Sequence, residues 1–280
     1  MIDDFKEHPF KVIDNDELKQ LEESIKQSGV LSPVIVRKKD DGRYEMVSGH
    51  RRKFACKKLG LKSIPCIVKD LSLDEATIFM VDSNLQREKL LPSEKAFAYK
   101  MKMEAMSHQG TYLQNGDTSR QLGDKLKSVD IIASKSDDSA RQIHRYIRLT
   151  YLVPELLEMV DNSEIGNNPS IAFNPAVELS YLIEDEQRDL VDFIDDFEST
   201  PSLAQAIKLK KLSQNNELDI DTIHDIMSEQ KPNQINKFKI NEDKLYKVIP
   251  KNVERENIED FVLKACEYYS KHLKQRDYER

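Results

Sequence analysis

The hydrophobic pattern of this 280-residue chain changes its period at about Pro92. Before this proline, short apolar runs of strand length alternate with segments of helical spacing, and Gly and Asp turn residues separate them. After it, apolar residues recur at helical spacing in almost every segment. A strand pattern does not give a helix an apolar face, and a helical pattern does not give one to a strand. The change of period therefore predicts an α+β N-terminal domain followed by all-α structure.

Local start and stop signals divide the N-terminal part into a small α/β unit. Polar capping residues predict where helices begin, and glycines predict where they end. Alternating apolar residues beside turn residues predict strands. Three helices are predicted: one around Leu18, Leu21 and Ile25 that ends at Gly29, one from about Arg51 with Phe54, Ala55 and Leu59 on one face, and one from the Ser72–Glu75 capping box to about Asn84. Three strands are predicted at Val34–Val36, Tyr44–Val47 and Ile64–Val68. A turn at Asp40–Gly42 joins the first two strands.

The second part is predicted to be helical with few interruptions. Pro92 suits the first turn of a helix, where its missing N–H costs nothing. The other predicted features are a loop over 108–119, a helix starting at Asn174–Pro175, helical character over 184–198, breaks at 200–201 and 213–216, a linker at 231–236 and a helix over 258–273. The apolar stripe of that last helix fits a dimer face and packing within its own domain equally well.

These signals predict three domains. Residues 1–92 form the α+β domain, and residues 93–199 form a helical domain. Residues 200–280 form a small, mostly helical C-terminal domain that we assign to dimerisation. On the dimer-face interpretation of the last helix, the chain is expected to act as a homodimer.

Composition excludes several classes of protein. With 33% charged and 39% hydrophobic residues the chain is an ordinary globular protein, and no apolar run approaches the roughly 18 residues of a membrane span. The N-terminus lacks signal-peptide character. The three cysteines, Cys56, Cys66 and Cys266, show no disulfide or zinc spacing. We expect a cytoplasmic protein without a membrane partner.

Charge is distributed unevenly along the chain. The net charge is −7 overall, which taken alone disfavours nucleic acid as a partner. Residues 35–70, however, contain eleven basic and four acidic residues, whereas residues 151–200 contain thirteen acids and a single arginine. The basic segment can bind an anion although the whole protein is acidic.

The first candidate site follows the second predicted strand, where Gly49, His50, Arg51 and Arg52 open a helix. Glycine permits close approach of a ligand to the backbone, and helix N-terminal amides attract anions. Guanidinium groups bind phosphate oxygens in a bidentate manner. The pattern indicates a phosphate site, although the same arginines could pair with surface acids.

The second candidate site lies at the end of the helix opened by Ser72. Asn84 and Gln86 carry amide oxygens that can reach a phosphate-bound Mg²⁺, and Arg87 can reach a phosphate. Each site alone is a weak signal. Together they predict a nucleotide pocket closed from two sides.

With these boxes the chain resembles the ParB family of DNA-partitioning proteins, in a plasmid or mobile-element-like branch. Three family boxes occur in order, at Gly29–Val36, Gly49–Arg52 and Ser83–Arg87. The resemblance implies a ParB/sulfiredoxin-like domain that binds CTP and Mg²⁺, with Ser32 and Pro33 near the cytosine. It implies that Gly49, His50, Arg51, Arg52, Asn84, Gln86 and Arg87 surround the triphosphate, and that Asn84 reaches the Mg²⁺.

Two positions depart from the family pattern. His50 and Ser83 stand where glutamates are usual, and the second of these is linked to CTP hydrolysis in the family. The resemblance therefore supports nucleotide binding better than hydrolysis, and any CTPase activity is expected to be weak and to serve as a switch. Sulfinic-acid reduction is not expected, because Cys56 lies about two turns into the helix, away from the loop.

A helix-turn-helix is predicted over about 128–150. Ile132 and Ala133 face inward on the first helix, Asp137 is placed at a turn position that favours the left-handed conformation, and Ser139 caps the second helix. Ile143 and Ile147 face the core, which leaves the polar side chains outside. The predicted DNA-binding residues are Ser139, Arg141, Gln142, His144, Arg145 and Arg148. A solvated basic helix face is the alternative interpretation, and for His144 alone it fits equally well.

The resemblance implies a sequence-specific partner, double-stranded DNA, and a CTP-gated clamp that acts in chromosome or plasmid segregation. It also implies association with the nucleoid or a plasmid, with a ParA-type ATPase as the candidate partner. The chain begins almost inside the nucleotide domain, so either the ATPase contact differs or upstream residues are absent. A CTP-responsive transcriptional regulator or nucleoid-occlusion-like protein is the first alternative. A ParB-fold nuclease is the second, and paired carboxylates beside the pocket would favour it.

Overall fold

The computed structural model describes residues 2–12, 14–87, 90–112, 128–229, 249–250, 253 and 258–278. The chain divides into two compact units, Met1–Glu229 and Gln230–Arg280. The first unit contains a mixed sheet with flanking helices and then a run of helices. The change from mixed to helical structure near Pro92 agrees with the change in hydrophobic period.

Four short strands form the sheet: β1 (Ile2–Asp3), β2 (Val34–Lys38), β3 (Tyr44–Ser48) and β4 (Cys66–Lys69). Their order is β1-β3-β2-β4. The β2–β3 pair is the predicted antiparallel hairpin, and β1–β3 and β2–β4 are parallel. β1 was not predicted, because two residues carry no detectable alternation. β4 begins two residues later than predicted.

Three helices accompany the sheet: α1 (Asp16–Ser28), α2 (His50–Lys58) and α3 (Leu73–Leu85). α3 packs on one face, where Val47 of β3 joins Ala76 and Met80 in one buried cluster. Val34, Val36 and Met46 form a second cluster on the opposite face. Ile64 packs against this second cluster and also against the cluster of α1 and α2. Because β3 ends at Ser48 and α2 begins at His50, the N-terminus of α2 lies directly after the hairpin.

The predicted caps are confirmed. The Asn15 side chain accepts from the Leu18 amide at 3.0 Å, and Gly29 ends α1 with a positive φ of 70°. Ser72 and Glu75 form the reciprocal capping box of α3. The inward face predicted for α2 is partly wrong, because Phe54 is 39% exposed. The core side of α2 is set by Ala55, and Phe54 lies about 100° from it around the helix.

The remaining helices of the first unit enclose a larger apolar core that includes Leu156, Ile171 and Leu190. α10 packs against α8, so this compact unit continues past residue 200 to Glu229. These helices are α4 (Pro92–Tyr112), α5 over 128–133, α6 (Ala140–Arg148), α7 (Pro154–Ile165), α8 (Phe173–Leu179), α9 (Glu184–Phe197), α10 (Leu203–Gln214) and α11 (Ile220–Ser228), with a 3-10 turn at Leu149–Tyr151 between α6 and α7.

Helix boundaries differ from prediction in two places. The loop predicted from residue 108 begins too early, because α4 continues through Gly110 to Tyr112. A single helical glycine costs only about 1 kcal/mol relative to alanine, which neighbouring turns offset. The rest of that predicted loop and the predicted linker at 231–236 lie outside the described residues. α8 begins at Phe173, one residue before the predicted Asn174–Pro175 start.

The described part of the second unit contains one long helix, α12 (Ile258–Tyr278). This agrees with the predicted helix and extends it. Leu263, Tyr268 and Tyr269 are exposed on it. Across the described ranges, no helix is both long enough and apolar enough to cross a bilayer.

Candidate functional site

Gly49 makes the tight connection between β3 and α2. Its φ of 108° is one that L side chains rarely adopt, and a Cβ there would lie 2.6 Å from Cγ1 of Val34. Glycine is therefore required both for the backbone conformation and for the packing against β2. The consequence is a bare backbone at the N-terminus of α2, where the helix amides favour an anion.

Arg52 anchors the loop before β2. Its Nη1 donates to the carbonyl oxygens of Ser32 at 2.6 Å and Pro33 at 2.8 Å. These residues are therefore brought to the predicted site by their backbone, while the Ser32 residue itself is exposed. Arg51 pairs with the exposed Glu17 at 3.2 Å rather than with these carbonyls, and a bound phosphate could replace that surface pair. The two arginines thus have different surroundings.

Arg87 is an exposed residue just beyond the end of α3, close enough to Arg51 for their positive charges to repel. Partial burial lowers the pKa of Arg87, and the positive charge of Arg51 lowers it further. The guanidinium lies 5.7 Å from the ring centroid of Phe10. Among the described residues, no carboxylate is within ion-pair distance of Arg87. Two neighbouring cations, one of them unpaired, make a place where an anion would be stabilised.

His50 occupies the first turn of α2 and contacts His8, a residue that sequence reasoning missed. Their ring centroids are 3.7 Å apart. Burial, followed by the influence of His8, lowers the pKa of His50 to about 3. His50 is therefore neutral at physiological pH and supplies neither the negative charge of a glutamate nor a positive charge for phosphate.

Asn84 meets these arginines only through the backbone, where the Arg87 amide donates to the Asn84 carbonyl oxygen at 3.0 Å, and Gln86 has no hydrogen bond to them among the described residues. Asn84 is buried, and its Nδ2 donates to the Met80 carbonyl at 2.7 Å. Its Oδ1 has no hydrogen-bond donor within the described chain, so it can accept from a ligand or bind a cation. Gln86 is exposed and lines a different depression with Asp82 and Ser83. Ser83 Oγ donates to the Met80 carbonyl at 2.9 Å.

The pocket suits a polyphosphate rather than a metal alone. The described residues contain no group of three or more His, Cys, Asp or Glu side chains that could hold a metal ion. Bare backbone at Gly49, the unpaired Arg87 and the free Oδ1 of Asn84 fit a phosphate chain that carries its own cation. Paired carboxylates of the kind a nuclease would use do not occur at His50 or Ser83.

The turn between α5 and α6 is held by Asp138 rather than by Asp137. Asp138 Oδ2 accepts from the hydroxyl of Tyr99 at 2.7 Å and from Nζ of Lys95 at 3.2 Å, both on α4. Burial, together with this hydrogen bond, raises the pKa of Tyr99. The left-handed conformation predicted for Asp137 is wrong, since the described non-glycine residues with positive φ lie elsewhere. The connection over 134–139 is long enough to turn without it.

α6 has the predicted cap and core face. Ser139 Oγ accepts from the Gln142 amide at 3.3 Å. Ile143 and Ile147 are buried in a cluster with Tyr99, Val129 and Ile132. The helix is therefore fixed by its apolar side, and its basic side faces away from that cluster.

The polar residues of α6 divide into free and engaged groups. Arg141 and His144 are exposed. Arg145 donates to Gln142 Oε1 at 3.3 Å and to Asn174 Oδ1 at 2.5 Å, and it lies over the ring of Phe173. Arg148 donates to the hydroxyl and the carbonyl oxygen of Ser180. Arg141 and His144 are therefore the side chains best able to reach a ligand without breaking contacts.

Comparison with known proteins gives one family match and several relatives. Residues 1–85 match the ParB N-terminal domain. The chain is 36% identical over 157 residues to the chromosome-partitioning protein Spo0J of Thermus thermophilus, covering 56% of this chain and 51% of that protein. It is 38% identical over 96 residues to a nucleoid occlusion protein of a Geobacillus species, covering 34% of each. The matched region thus spans about half of the first relative and about a third of the second.

Solved structures of a C-terminally truncated ParB from Caulobacter crescentus show a more distant likeness. The complex with the centromeric parS site has 21% identity and a TM-score of 0.40, covering 76% of this chain and 95% of that one. The complex with CTP-gamma-S has 23% identity and a TM-score of 0.29, covering 69% of this chain and 94% of that one. The relationship therefore rests on the sequence matches.

Proposed function

We propose that this protein, whose residues 1–85 match the ParB N-terminal domain, is a nucleotide-gated, sequence-specific DNA-binding protein of a partition system. The relatives named as chromosome-partitioning proteins support this assignment. The nucleotide is CTP, and the DNA is a specific duplex site. The observation that carries the proposal is the bare backbone that Gly49 leaves at the N-terminus of α2, together with Arg87, which has no ion-pair partner among the described residues.

The triphosphate lies along the N-terminus of α2. Arg51 and Arg87 neutralise it from two sides, Gly49 allows its close approach, and Arg52 holds the Ser32–Pro33 loop at the base. Bound Mg²⁺ shields phosphate charge, and the free Oδ1 of Asn84 is the atom suited to reach it. Gln86 lines a separate depression and is assigned no contact with the triphosphate. The choice of CTP comes from the family resemblance.

The DNA-binding part is a helix-turn-helix formed by α5 and α6. Arg141 and His144 are free to reach base edges, while Arg145 and Arg148 support them from positions held by α8. Ser139 and Gln142, at the start of α6, contact the phosphate backbone of the DNA. α12 and the rest of the C-terminal unit form the homodimer, and a ParA-type ATPase is the expected partner in segregation.

Hydrolysis of CTP is slow in this chain. His50 is neutral and Ser83 carries no charge, so neither can hold an attacking water as a carboxylate does. Nucleotide binding therefore controls clamp closure on DNA, and release depends mainly on nucleotide dissociation. The protein acts at the nucleoid or on a plasmid.

A second function is favoured by one observation, the 38% identity to a nucleoid occlusion protein. In that case the same nucleotide pocket and DNA-reading helix would serve a CTP-responsive regulator without a partition ATPase. Stimulation of a ParA-type ATPase from the same replicon distinguishes the two, since only a partition protein requires it.

The test is isothermal calorimetry on the full chain with CTP, ATP and GTP, with and without duplex enriched by the protein from a random pool. We expect CTP binding that the enriched duplex strengthens. Arg87→Ala should remove nucleotide binding and leave DNA binding, and Arg141→Ala should do the reverse. ATP binding without CTP binding would overturn the assignment of the nucleotide.

A further inference from the structure

An array of alternating cations and aromatic rings begins where α6 ends. The Arg148 guanidinium lies 4.5 Å from the ring centroid of Tyr151 and 3.9 Å from that of Tyr181. Nζ of Lys100 lies 5.7 Å from the Tyr151 ring, and Nζ of Lys210 lies 3.8 Å from the Tyr181 ring. We call these five residues the cation–tyrosine array. It draws together α4, α6, α10 and the segments that follow α6 and α8.

The array carries excess positive charge. Lys210 is paired with Glu178 at 2.9 Å, but neither Lys100 nor Arg148 has an ion pair with a described residue. The nearby Glu184 is neutralised by Arg188 at 2.6 Å. Two of the three cations are thus uncompensated, which favours an anionic partner although the surrounding segment is rich in acids.

Both rings also present unused hydrogen-bond donors. Tyr151 is 58% exposed and Tyr181 is 40% exposed. Neither phenol hydroxyl has a hydrogen-bond partner in the part of the chain that the structure describes. The cations contact the ring faces and hold the rings in place, so each hydroxyl group has a fixed position and can still donate to a ligand.

The array continues the exposed stripe of α6. Arg141, His144 and Arg148 are separated by three and four residues, so they lie on one face of the helix, opposite the buried Ile143 and Ile147. A ligand lying along Arg141 and His144 therefore reaches Arg148 and its tyrosines next. An elongated anion of regular charge spacing fits this extension better than a compact one.

We propose that the cation–tyrosine array binds the sugar–phosphate backbone of duplex DNA beside the segment read by Arg141 and His144. The lysines neutralise phosphates, and the tyrosine hydroxyls donate to phosphate oxygens. This inference rests on the proposed DNA-binding function and adds a second surface to it. The contact carries no sequence information, so it strengthens binding to every duplex equally.

The test measures binding of the full chain to a fluorescent duplex of random sequence over a series of salt concentrations. Lys100→Ala should make the log–log salt dependence shallower by about 0.9, the value for one lost phosphate contact, and Lys210→Ala should change it less, because Lys210 is already paired with Glu178. Tyr181→Phe should weaken binding about fivefold at unchanged slope, as expected for a hydrogen bond of about 1 kcal/mol. Lys208→Ala is the matched control, because Lys208 lies on the same helix and pairs with Glu229 away from the array.

The outcomes separate this inference from its premise. If the wild-type protein binds neither the random nor the enriched duplex, the proposed function fails and the inference fails with it. If the wild-type protein binds and Arg141→Ala loses site preference, but the array variants keep the wild-type slope and affinity, the inference alone is overturned. An acidic protein segment would then be the partner that matches this charge. Circular dichroism melting of each variant confirms that the fold is retained.

Discussion

The imidazoles of His8 and His50 lie with their centroids 3.7 Å apart and their planes tilted by 40°, and the buried Nε2 atom of each has no hydrogen-bond partner among the described residues. Nδ1 of His8 contacts the Phe10 carbonyl oxygen at 2.8 Å, and because a carbonyl only accepts, Nδ1 carries the proton. Protonation of either Nε2 would create a buried cation near Lys53 and Arg87. The pair is therefore stable only when neutral.

Acid should destabilise the protein through this pair. The pKa of His50 falls from 6.5 to about 3 on folding, and that of His8 is lowered by burial. The unfolded chain therefore binds more protons, and the stability present above pH 6.5 is lost as pH falls toward 3. The free energy of unfolding from urea titrations should decrease by at most about 1.4 kcal/mol per pH unit for each histidine.

His50→Phe keeps an aromatic ring against His8 and removes the titrating imidazole of residue 50, so the pH dependence of stability should become flatter. His144→Phe is the matched control, because His144 is exposed on α6. An unchanged pH dependence in His50→Phe would contradict the assignment.

Gly49→Ala should lose nucleotide binding and stability together. The added Cβ meets Cγ1 of Val34 at 2.6 Å, whereas the same change at Gly42, which also has a positive φ, meets nothing within 4 Å. Both changes carry the backbone cost of about 1 kcal/mol, and the Gly49 change adds about 1–3 kcal/mol of overpacking. Urea titration of Gly49→Ala and Gly42→Ala should separate the two contributions, and equal losses would rule out the close contact.

Loss of Arg52 should lower both stability and nucleotide binding, whereas loss of Arg87 should lower nucleotide binding alone. Arg52→Ala leaves the Ser32 and Pro33 carbonyls without their donor, so it should lower stability by about 1–2 kcal/mol and also weaken nucleotide binding. Arg87→Ala breaks no ion pair of the described chain, so it should weaken nucleotide binding at unchanged stability. Thermal melting and calorimetry on both variants test this. A nucleotide affinity of Arg52→Ala equal to wild type would show that the loop lies outside the pocket.

Asp138 and Asp137 form an adjacent matched pair. Asp138→Ala removes the acceptor for Tyr99 and Lys95 and should cost about 1–3 kcal/mol, because a buried hydroxyl loses its partner. The turn before α6 should loosen, and affinity for the enriched duplex should fall. Asp137→Ala, at an exposed position, should change neither quantity. Equal effects of the two changes would exclude a specific role for Asp138.

Local features were predictable because their causes lie within a few residues. The Asn15 and Ser139 caps follow from side chains that accept from backbone amides one turn away, and the Gly29 stop follows from a positive φ at which its own amide donates to the Ile25 carbonyl. The β2–β3 hairpin follows from alternation around a glycine turn. These signals positioned both the nucleotide loop and the DNA-reading helix.

Long-range pairings were not predictable. His8 reaches His50, and Asp138 reaches Tyr99, across segments whose packing is decided by the whole fold. Arg148 was predicted to support DNA binding, but nothing near it in sequence indicates its hydrogen bonds to Ser180. Periodicity tells which face of α6 is polar, and only the packed structure tells which polar side chains are already engaged.

The engagement of α6 by α8 limits how this protein could be given a new DNA site. Arg145 and Arg148 are held by Asn174 and Ser180. A grafted helix that lacks these arginines would leave Asn174 and Ser180 without these hydrogen bonds. Engineers who exchange recognition helices should therefore transplant α6 and α8 as one cassette. Randomisation would then be confined to positions 141 and 144, where new side chains disturb no existing contact.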